Sequence, residues 1–599
     1  MFIFYRSEVF YPMYVAISGY GKSRVIQFRE ETHIPGTSKK KTHVVKTIGN
    51  YEKMLADDPD VVEKLKLEAA RLTREKKAAG APVTLEVPVG DILKPDDVVP
   101  SFQFGHGLVK QIWQQMDLDT FFVTKSGKRN AETVVQAIYY LAAHRCAEPA
   151  SVHACVKELP TYAGVNPLSL DVLYDVLDIL SEQKSAVIEH LSRFFERKTN
   201  RQGPEAFYDV TTYAFESTRW GELRMFGFSK DHKNNEVQVV MGLLMDNNGI
   251  PITYELFPGN TMDQNTLVQS IEKLKNLYRL EKIIVVADRG LNSGNNLEYL
   301  YSSGHDFVIS YTLKRAPQVF KELVWSEDGW HDDSKEGDAV TFRSKVVGDS
   351  LKVRLPLSEE EREATGKRGR PRTLREVEIP VKIHLTWSAK RAEKDRGDRE
   401  RMLERLRKKL DKPYQLKAAI RRGGNQFLQM ELDTENWSLD EAKIEEAARY
   451  DGYYAVITNN LELDTQSVYK IYGGLWKIEE SFRILKSDLR ARPVFVWSDK
   501  HIKGHFAMCF ISLCMLRYAQ YLLETEKQIS VSARTIMEAI REPLVLVQGE
   551  FPRCVVTPTR ITQTYLDLAG LLGMSNMKTN MTLTKFRACT KLDLSINLK

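Results

Sequence analysis

The chain has 599 residues, 43% hydrophobic and 28% charged, with 86 basic against 80 acidic residues and a net charge of +6. That composition excludes a mostly disordered, a collagen-like or a simple coiled-coil chain, and the length calls for several domains. No apolar run approaches the roughly 18 residues of a membrane span, and the charge excess alone is too small to imply a polyanionic partner.

The N-terminal MFIFYRSEVFYPMYV is broken by Arg6, Glu8 and Pro12 and does not read as a signal peptide. Residues 1–55 carry three alternating runs separated by glycine-containing turns, which predicts a small antiparallel β-meander exposing Lys39, Lys40 and Lys41. Residues 56–200 are helical. VVEKLKLEAARLTREKKA opens this region, and AETVVQAIYYLAAHRC and LSLDVLYDVLDILSEQKSAVIEHLSRFFERK carry apolar residues at three- and four-residue spacing.

The character changes near Glu205. EAFYDVTTYAFES reads as a strand, VQVVMGLLMD and IPITYELFPG as a hairpin around Asn247-Asn248-Gly249, Thr266 to Leu280 as a helix, and KIIVVAD as a buried strand. DFVISYTL adds a further strand, so 201–314 reads as a mixed α/β core. Residues 315–451 interrupt it with short strands and two basic segments. The α/β character returns over 452–540 with YYAVITN, a long helix from about Gln466 to Asp488, and the apolar helix HFAMCFISLCMLRYAQYLL. Residues 541–599 give little away.

Asp209 sits inside an apolar strand, where a carboxylate costs free energy unless something positive meets it. Asp288 ends KIIVVAD, at the C-terminal mouth where α/β sheets place ligands. Glu479 lies on the long helix between Tyr472 and Lys486, each seven residues away. Seven residues at 100° fall 20° short of two turns, so the three share one stripe, with Arg483 about 40° aside. Three carboxylates on rigid elements suit a pair of divalent ions serving phosphoryl transfer, and the cations suit DNA phosphates. Taken singly, a strand-end Asp also reads as a turn cap and a helical Glu–Arg pair as a solvated surface pair. Glu480 is a rival to Glu479 but points about 100° away, which favours Glu479.

With these residues in place, the chain strongly resembles the DDE transposases of bacterial insertion sequences, in the branch with a Tyr, Arg, Glu, Lys signature. Tyr472, Glu479 and Lys486 occupy their places in that signature, and Leu475 stands where Arg is expected. SKDHKNNEVQVVMGLLMDNNGIPITYELFPGNTMDQNT and VVADRGLNS also resemble the family. The resemblance implies a ribonuclease H-like α/β core, 201–314 and 452–540, interrupted by a β-rich basic insertion, 315–451. It implies a catalytic triad of Asp209, Asp288 and Glu479 binding two Mg²⁺, with Mn²⁺ as a substitute. It also implies cleavage at terminal repeats and joining to target double-stranded DNA by a homodimer in a paired-end complex. Phosphate contacts fall to Tyr472 and Lys486, with Lys477 or Arg483 standing in for the missing Arg, and Arg289 follows Asp288 directly. Two rivals remain: a nuclease on the same fold that cuts without joining, and a transposase-derived DNA-binding protein with an idle site.

Weaker signals complete the reading. Gly366 to Arg372, with Arg368 and Arg370, resembles an AT-hook core for the minor groove, or is a solvated basic loop. Lys390 to Arg422 reads as a phosphate track or an exposed helix. Terminal-repeat recognition is placed on Lys39 to Lys41 and the helical region. His232, His501 and His505 are read as structural. The six cysteines, with no CxxC pair, point to free thiols in a reducing cytoplasm, and the resemblance implies a bacterial, nucleoid-associated protein.

Overall fold

The computed structural model describes residues 12–33, 40–79, 100–126, 130–199, 201, 205–227, 235–278, 282–288, 291, 293–316, 318–336, 339–357, 374–410, 427–430, 437–549, 551–552 and 554–598. These fall into two compact units, one of residues 1–102, 544–560 and 576–599, the other of 103–543 and 561–575.

The first unit opens with the meander that the sequence predicts: β1 (Tyr14–Ser18), β2 (Val25–His33) and β3 (Lys40–Asn50) pair antiparallel in chain order. Helix α1 (Tyr51–Asp57) starts at Asn50, whose side chain accepts the Lys53 N–H. Ile26 and Phe28, two apart on β2, meet Val61, Leu65 and Ala69, four apart on α2 (Val61–Ala79). Period two of a strand and period four of a helix thus close one small core. A second sheet joins β4 (Ser101–Gln103) to Leu544–Gln548, Val555–Pro558 and Met581–Thr582.

The second unit begins with six helices, α3 (Gly107–Gln115), α4 (Leu118–Ser126), α5 (Ala131–Ala147), α6 (Val152–Glu158), α7 (Leu170–Glu182) and α8 (Lys184–Lys198). Its sheet has nine strands in the order β10-β11-β12-β15-β9-β8-β5-β6-β7. The core strands are β5 (Glu205–Ala214), β6 (Gln238–Met245), β7 (Pro251–Pro258), β8 (Ile284–Ala287) and β9 (Asp306–Ser310). The β6–β7 turn is set by Asp246, whose Oδ1 accepts the N–H groups of Asn248 and Ile250, and by Gly249 at φ +77°, a conformation that favours glycine. Strands β10 (His331–Glu336), β11 (Ala339–Pro356) and β12 (Leu374–Ser388) extend this same sheet through β15 (Tyr453–Thr458), while β13 (Leu428–Met430) and β14 (Trp437–Leu439) form a separate ribbon.

One face of the sheet buries Ala206, Tyr208, Val210, Val285, Ala287, Phe307 and Ile309 under α9 (Leu267–Tyr278) and α10 (Gly294–Ser302). The other face carries Tyr213 and Tyr254, which pack edge-on or tilted against Phe506 and Phe510, four residues apart on the helix Asp499–Lys527. By length and composition that 29-residue helix could cross a membrane, contrary to the sequence expectation, but 83% of its apolar window is buried inside the protein, as in the core helix of a folded domain. The long helix expected from Gln466 to Asp488 is broken. Thr465–Gly473 and Trp476–Arg483 are separate α-helices, and Ile484–Asp488 is a π-helical turn. The single stripe expected of Tyr472, Glu479 and Lys486 assumed an unbroken α-helix, which the turn at Gly474-Leu475 and the wider π turn do not provide.

Candidate active site

β5 and β8 are parallel, with Glu205, Ala206 and Phe207 facing Ile284, Val285 and Val286. Carried two residues further, this register sets Asp209 beside Asp288. β9 continues the row, since Ala287 faces Ile309 and the next step sets Asp288 beside Ser310. Ser310 Oγ donates to Asp288 Oδ1 at 3.3 Å. Residues level in register point to one face, and neighbouring strands lie about 4.8 Å apart, so the two aspartates are neighbours on the face opposite the α9–α10 core. Asp209 is half-buried, with its Oδ1 accepting the Val210 N–H at 2.7 Å. From the other face Tyr208 holds the strand: its hydroxyl donates to Thr266 Oγ1 at 2.7 Å and accepts from Ser270 Oγ at 3.2 Å.

The segment carrying Glu479 runs along β5. At its start, a Cβ added to Gly474 would meet the tip of the Phe207 ring at 2.5 Å, an approach only glycine permits. Near its end, Lys486 Nζ lies 5.6 Å from the centre of the Tyr213 ring. Phe207, Asp209 and Tyr213 share one face of β5. Glu479 lies between these two contacts on its segment, as Asp209 lies between Phe207 and Tyr213 on β5, so the two belong to the same stretch of the packing. Glu479 is exposed and holds no ion pair among the described residues. It shares that stretch with Asp209 without closing on the aspartates: among the described residues, no three His, Cys, Asp or Glu side chains are grouped to hold a metal ion.

Glu480 is committed elsewhere. Its Oε2 accepts from Arg517 Nη1 at 2.8 Å, and Arg517 also donates to Ser481 Oγ at 3.0 and 2.6 Å and to Lys477 O at 2.8 Å. Burial pulls the Arg517 guanidinium pKa down and Glu480 pulls it back up. Arg483 pairs with Glu480 Oε1 at 3.5 Å and stays largely exposed. Lys477 donates to Asn247 O, which ties it to the β6–β7 turn.

Tyr472 lies over the Asp288–Ser310 end of the row. Tyr454 donates its hydroxyl proton to the Tyr472 hydroxyl oxygen at 2.7 Å. Burial pushes the Tyr472 pKa well above the ordinary phenol range, so it stays a neutral hydroxyl. The Arg391 guanidinium lies 4.2 Å from the centre of the Tyr454 ring.

Other expected residues lie apart from this row or outside the described residues. Arg289, Arg368, Arg370, Lys39 and His232 fall outside them, as does the whole Gly366–Arg372 stretch. Lys390 to Leu410 belongs to one helix, with Arg401–Asp398 and Lys408–Glu404 pairs on its exposed face. His505 is buried, its Nε2 within 3.2 Å of Ala491 O, while His501 stacks on Tyr174 and pairs with Asp178.

Ser310, Tyr454 and Arg517 escaped the sequence reading. Arg517 had a visible signal, a single cation inside the apolar run CMLRYAQYLL. Ser310 and Tyr454 had none, because their place beside Asp288 depends on strand register.

Residues 203–515 match the family model described as Transposase DDE domain. A search of curated proteins returns no match. Among solved structures, the piggyBac transposase synaptic complex with hairpin DNA, a cryo-EM structure, is matched at 9% identity and a TM-score of 0.30, over 73% of this chain and 76% of that one.

Proposed function

The chain belongs to the transposases that carry a DDE domain, and on that premise we propose that it cuts at the terminal repeats of its own insertion sequence and joins the freed 3′-ends to target DNA. The observation that carries this reading is the shared register of Asp209 and Asp288 on β5 and β8. The strand order β7-β6-β5-β8-β9, antiparallel for the first three and parallel from β5 onward, supports a ribonuclease H-like core.

Asp209, Asp288 and Glu479 form an all-oxygen donor set, which suits hard cations such as Mg²⁺ or Mn²⁺. Asp288 fits this role because, among the described residues, a neutral hydroxyl is its hydrogen-bond partner and no cation pairs with it. Two such ions, when bound, supply activation of a water or 3′-hydroxyl and stabilisation of the leaving oxygen. The protein positions the aspartates rigidly on adjacent strands, and the exposed Glu479 side chain completes the set by swinging toward them. Tyr472 offers a neutral hydroxyl and Lys486 a cation to phosphates flanking the scissile bond. Lys477 is tied to Asn247, so Arg483 is the better stand-in for the Arg that Leu475 replaces. Because each site handles one element end, a homodimer holds the paired ends, in the nucleoid of a bacterial cytoplasm.

Supplying terminal-repeat DNA and a supercoiled target with Mg²⁺ or Mn²⁺ tests the proposal. Cleavage and joining together support it. Cleavage without joining assigns a nuclease, and end binding without cleavage assigns an idle DNA-binding protein.

A further inference from the structure

The row that starts with Asp209 and Asp288 continues past Ser310. β15 lies antiparallel to β9 with Val456 opposite Ser310, and Tyr454 stands two residues before Val456. Alternate residues of a strand share a face, so Tyr454 projects on the same side as Asp288 and Ser310. Its neighbours Ala455 and Ile457 turn into the core on the other side. Tyr454 therefore brings a hydroxyl to the site from a strand, YYAVIT, that carries no candidate metal ligand.

Two side chains meet Tyr454. Against its ring lies the Arg391 guanidinium, 4.2 Å from the ring centre and 46% exposed, with a loose 3.7 Å pairing to Asp395. A cation is attracted to the face of a phenol and draws electron density from its oxygen, which makes the O–H a stronger donor. At its hydroxyl end Tyr454 donates to Tyr472 at 2.7 Å, an ordinary length for a well-formed O–H···O bond.

The helix that carries Tyr472 is seated by other bonds. One turn earlier, the Tyr469 hydroxyl accepts from Thr386 Oγ1 at 3.0 Å and donates to His384 O at 3.0 Å, with Tyr454 O at 3.4 Å. These bonds fasten Thr465–Gly473 to β12 and β15, and none of them uses the Tyr454 side chain. The Tyr454 hydroxyl is thus left to direct the Tyr472 hydroxyl. A phenol has one proton. With its oxygen accepting from Tyr454, Tyr472 keeps that proton to give.

We propose that Tyr454 is a positioning residue: it fixes the Tyr472 hydroxyl, proton outward, for a phosphate of the DNA strand that passes the Asp209–Asp288 row. Arg391 strengthens that hold through the Tyr454 ring. This rests on the transposase reading above, which supplies the DNA and the phosphate contact of Tyr472.

The test uses the full-length protein and terminal-repeat DNA. Tyr454→Phe keeps the ring and removes only the hydroxyl. It should slow cleavage at saturating DNA about tenfold, the size of one hydrogen bond to a charged group. Tyr472→Phe should slow it at least as much, and the double variant should be no slower than Tyr472→Phe alone. Unconnected roles would instead multiply the two losses. A second readout needs no metal: end affinity by anisotropy in EDTA, for duplexes that each carry a single methylphosphonate near the cut. At one position the substitution should weaken binding by wild type at least about threefold more than binding by either variant, because both have already lost that contact. Should Tyr454→Phe fail to fold, Arg391→Gln, at an exposed side chain, carries the test, with a loss of about threefold that disappears in the Tyr472→Phe background. Losses that multiply, or a methylphosphonate penalty that Tyr454→Phe leaves unchanged at every position, overturn the proposal while leaving the transposase reading intact. Wild-type protein that binds the ends and never cuts them overturns that reading instead, and the affinity measurements alone then decide the role of Tyr454.

Discussion

Asp209, a half-buried position inside the otherwise buried run Ala206–Ala214 of β5, and Asp288, the residue that follows the buried strand β8, fall at the same register position of two parallel neighbours. The chain between them builds a hairpin and a helix, yet the pairing of Phe207 with Val286 makes the two carboxylates neighbours. Replacing either by Asn keeps shape and hydrogen-bonding capacity but removes charge. Asp209→Asn and Asp288→Asn should each cut DNA cleavage by at least about 10²–10³-fold with end binding changed less than threefold. Gel-based cleavage and anisotropy read the two quantities separately.

Glu480 and Glu479 should behave oppositely. Arg517 is 8% exposed at its side chain and paired with Glu480, so Arg517→Ala leaves the half-buried Glu480 carboxylate with only the longer contact to the exposed Arg483. That should cost about 3–5 kcal/mol of stability, whereas replacing both partners with Leu and Met should recover most of it. Glu479→Gln should leave stability within about 0.5 kcal/mol and abolish cleavage. Urea unfolding of the three variants distinguishes the roles.

Gly474 sets how closely the Glu479 segment lies on β5. Gly474→Ala places a methyl against the Phe207 ring and should destabilise the protein by about 1–3 kcal/mol through overpacking. Adding Phe207→Leu makes room and should restore stability. Cleavage falling more than end binding in the single variant, and recovering in the double, ties that packing to the site.

The pH dependence of stability should carry two opposed contributions. His106 and His505 are fully buried, and burial holds each pKa down to about 3, against about 6.5 unfolded. The unfolded chain therefore binds more protons as pH falls from about 6.5 toward 3, and stability falls by up to about 1.4 kcal/mol per pH unit for each. His144 has the opposite sign. Burial opposes its charge, but hydrogen bonds with Cys155 and Glu158 outweigh it and raise its pKa to about 9. Its contribution is full below about 6.5 and is lost as pH rises through about 9. Urea midpoints across pH for His505→Gln and His144→Gln should flatten the acid and alkaline limbs respectively.

The strands and helices around Asp209 were legible because buried strands and amphipathic helices write their periods into the chain: EAFYDVTTYAFES, KIIVVAD and the Asn247–Gly249 turn each became the element expected. The row to which Ser310 belongs was not, since cross-strand neighbours leave no mark in local sequence. The break after Tyr472 was overlooked although Gly473-Gly474 stands at it. Glycine weakens a helix without saying where, and what fixes this break is the approach of Gly474 to a ring more than 200 residues earlier. Arg289, Arg368 and Arg370 fall outside the described residues.

The central claim is that Glu479 joins the two aspartates around shared ions, and local cutting of the protein backbone measures this directly. With Fe²⁺ in place of Mg²⁺, and ascorbate with peroxide, radicals formed at the ions cleave the chain beside their ligands. In the presence of DNA the account predicts three cuts, near Asp209, Asp288 and Glu479, all suppressed by excess Mg²⁺. Cuts near the two aspartates with none between Trp476 and Arg483 would contradict it.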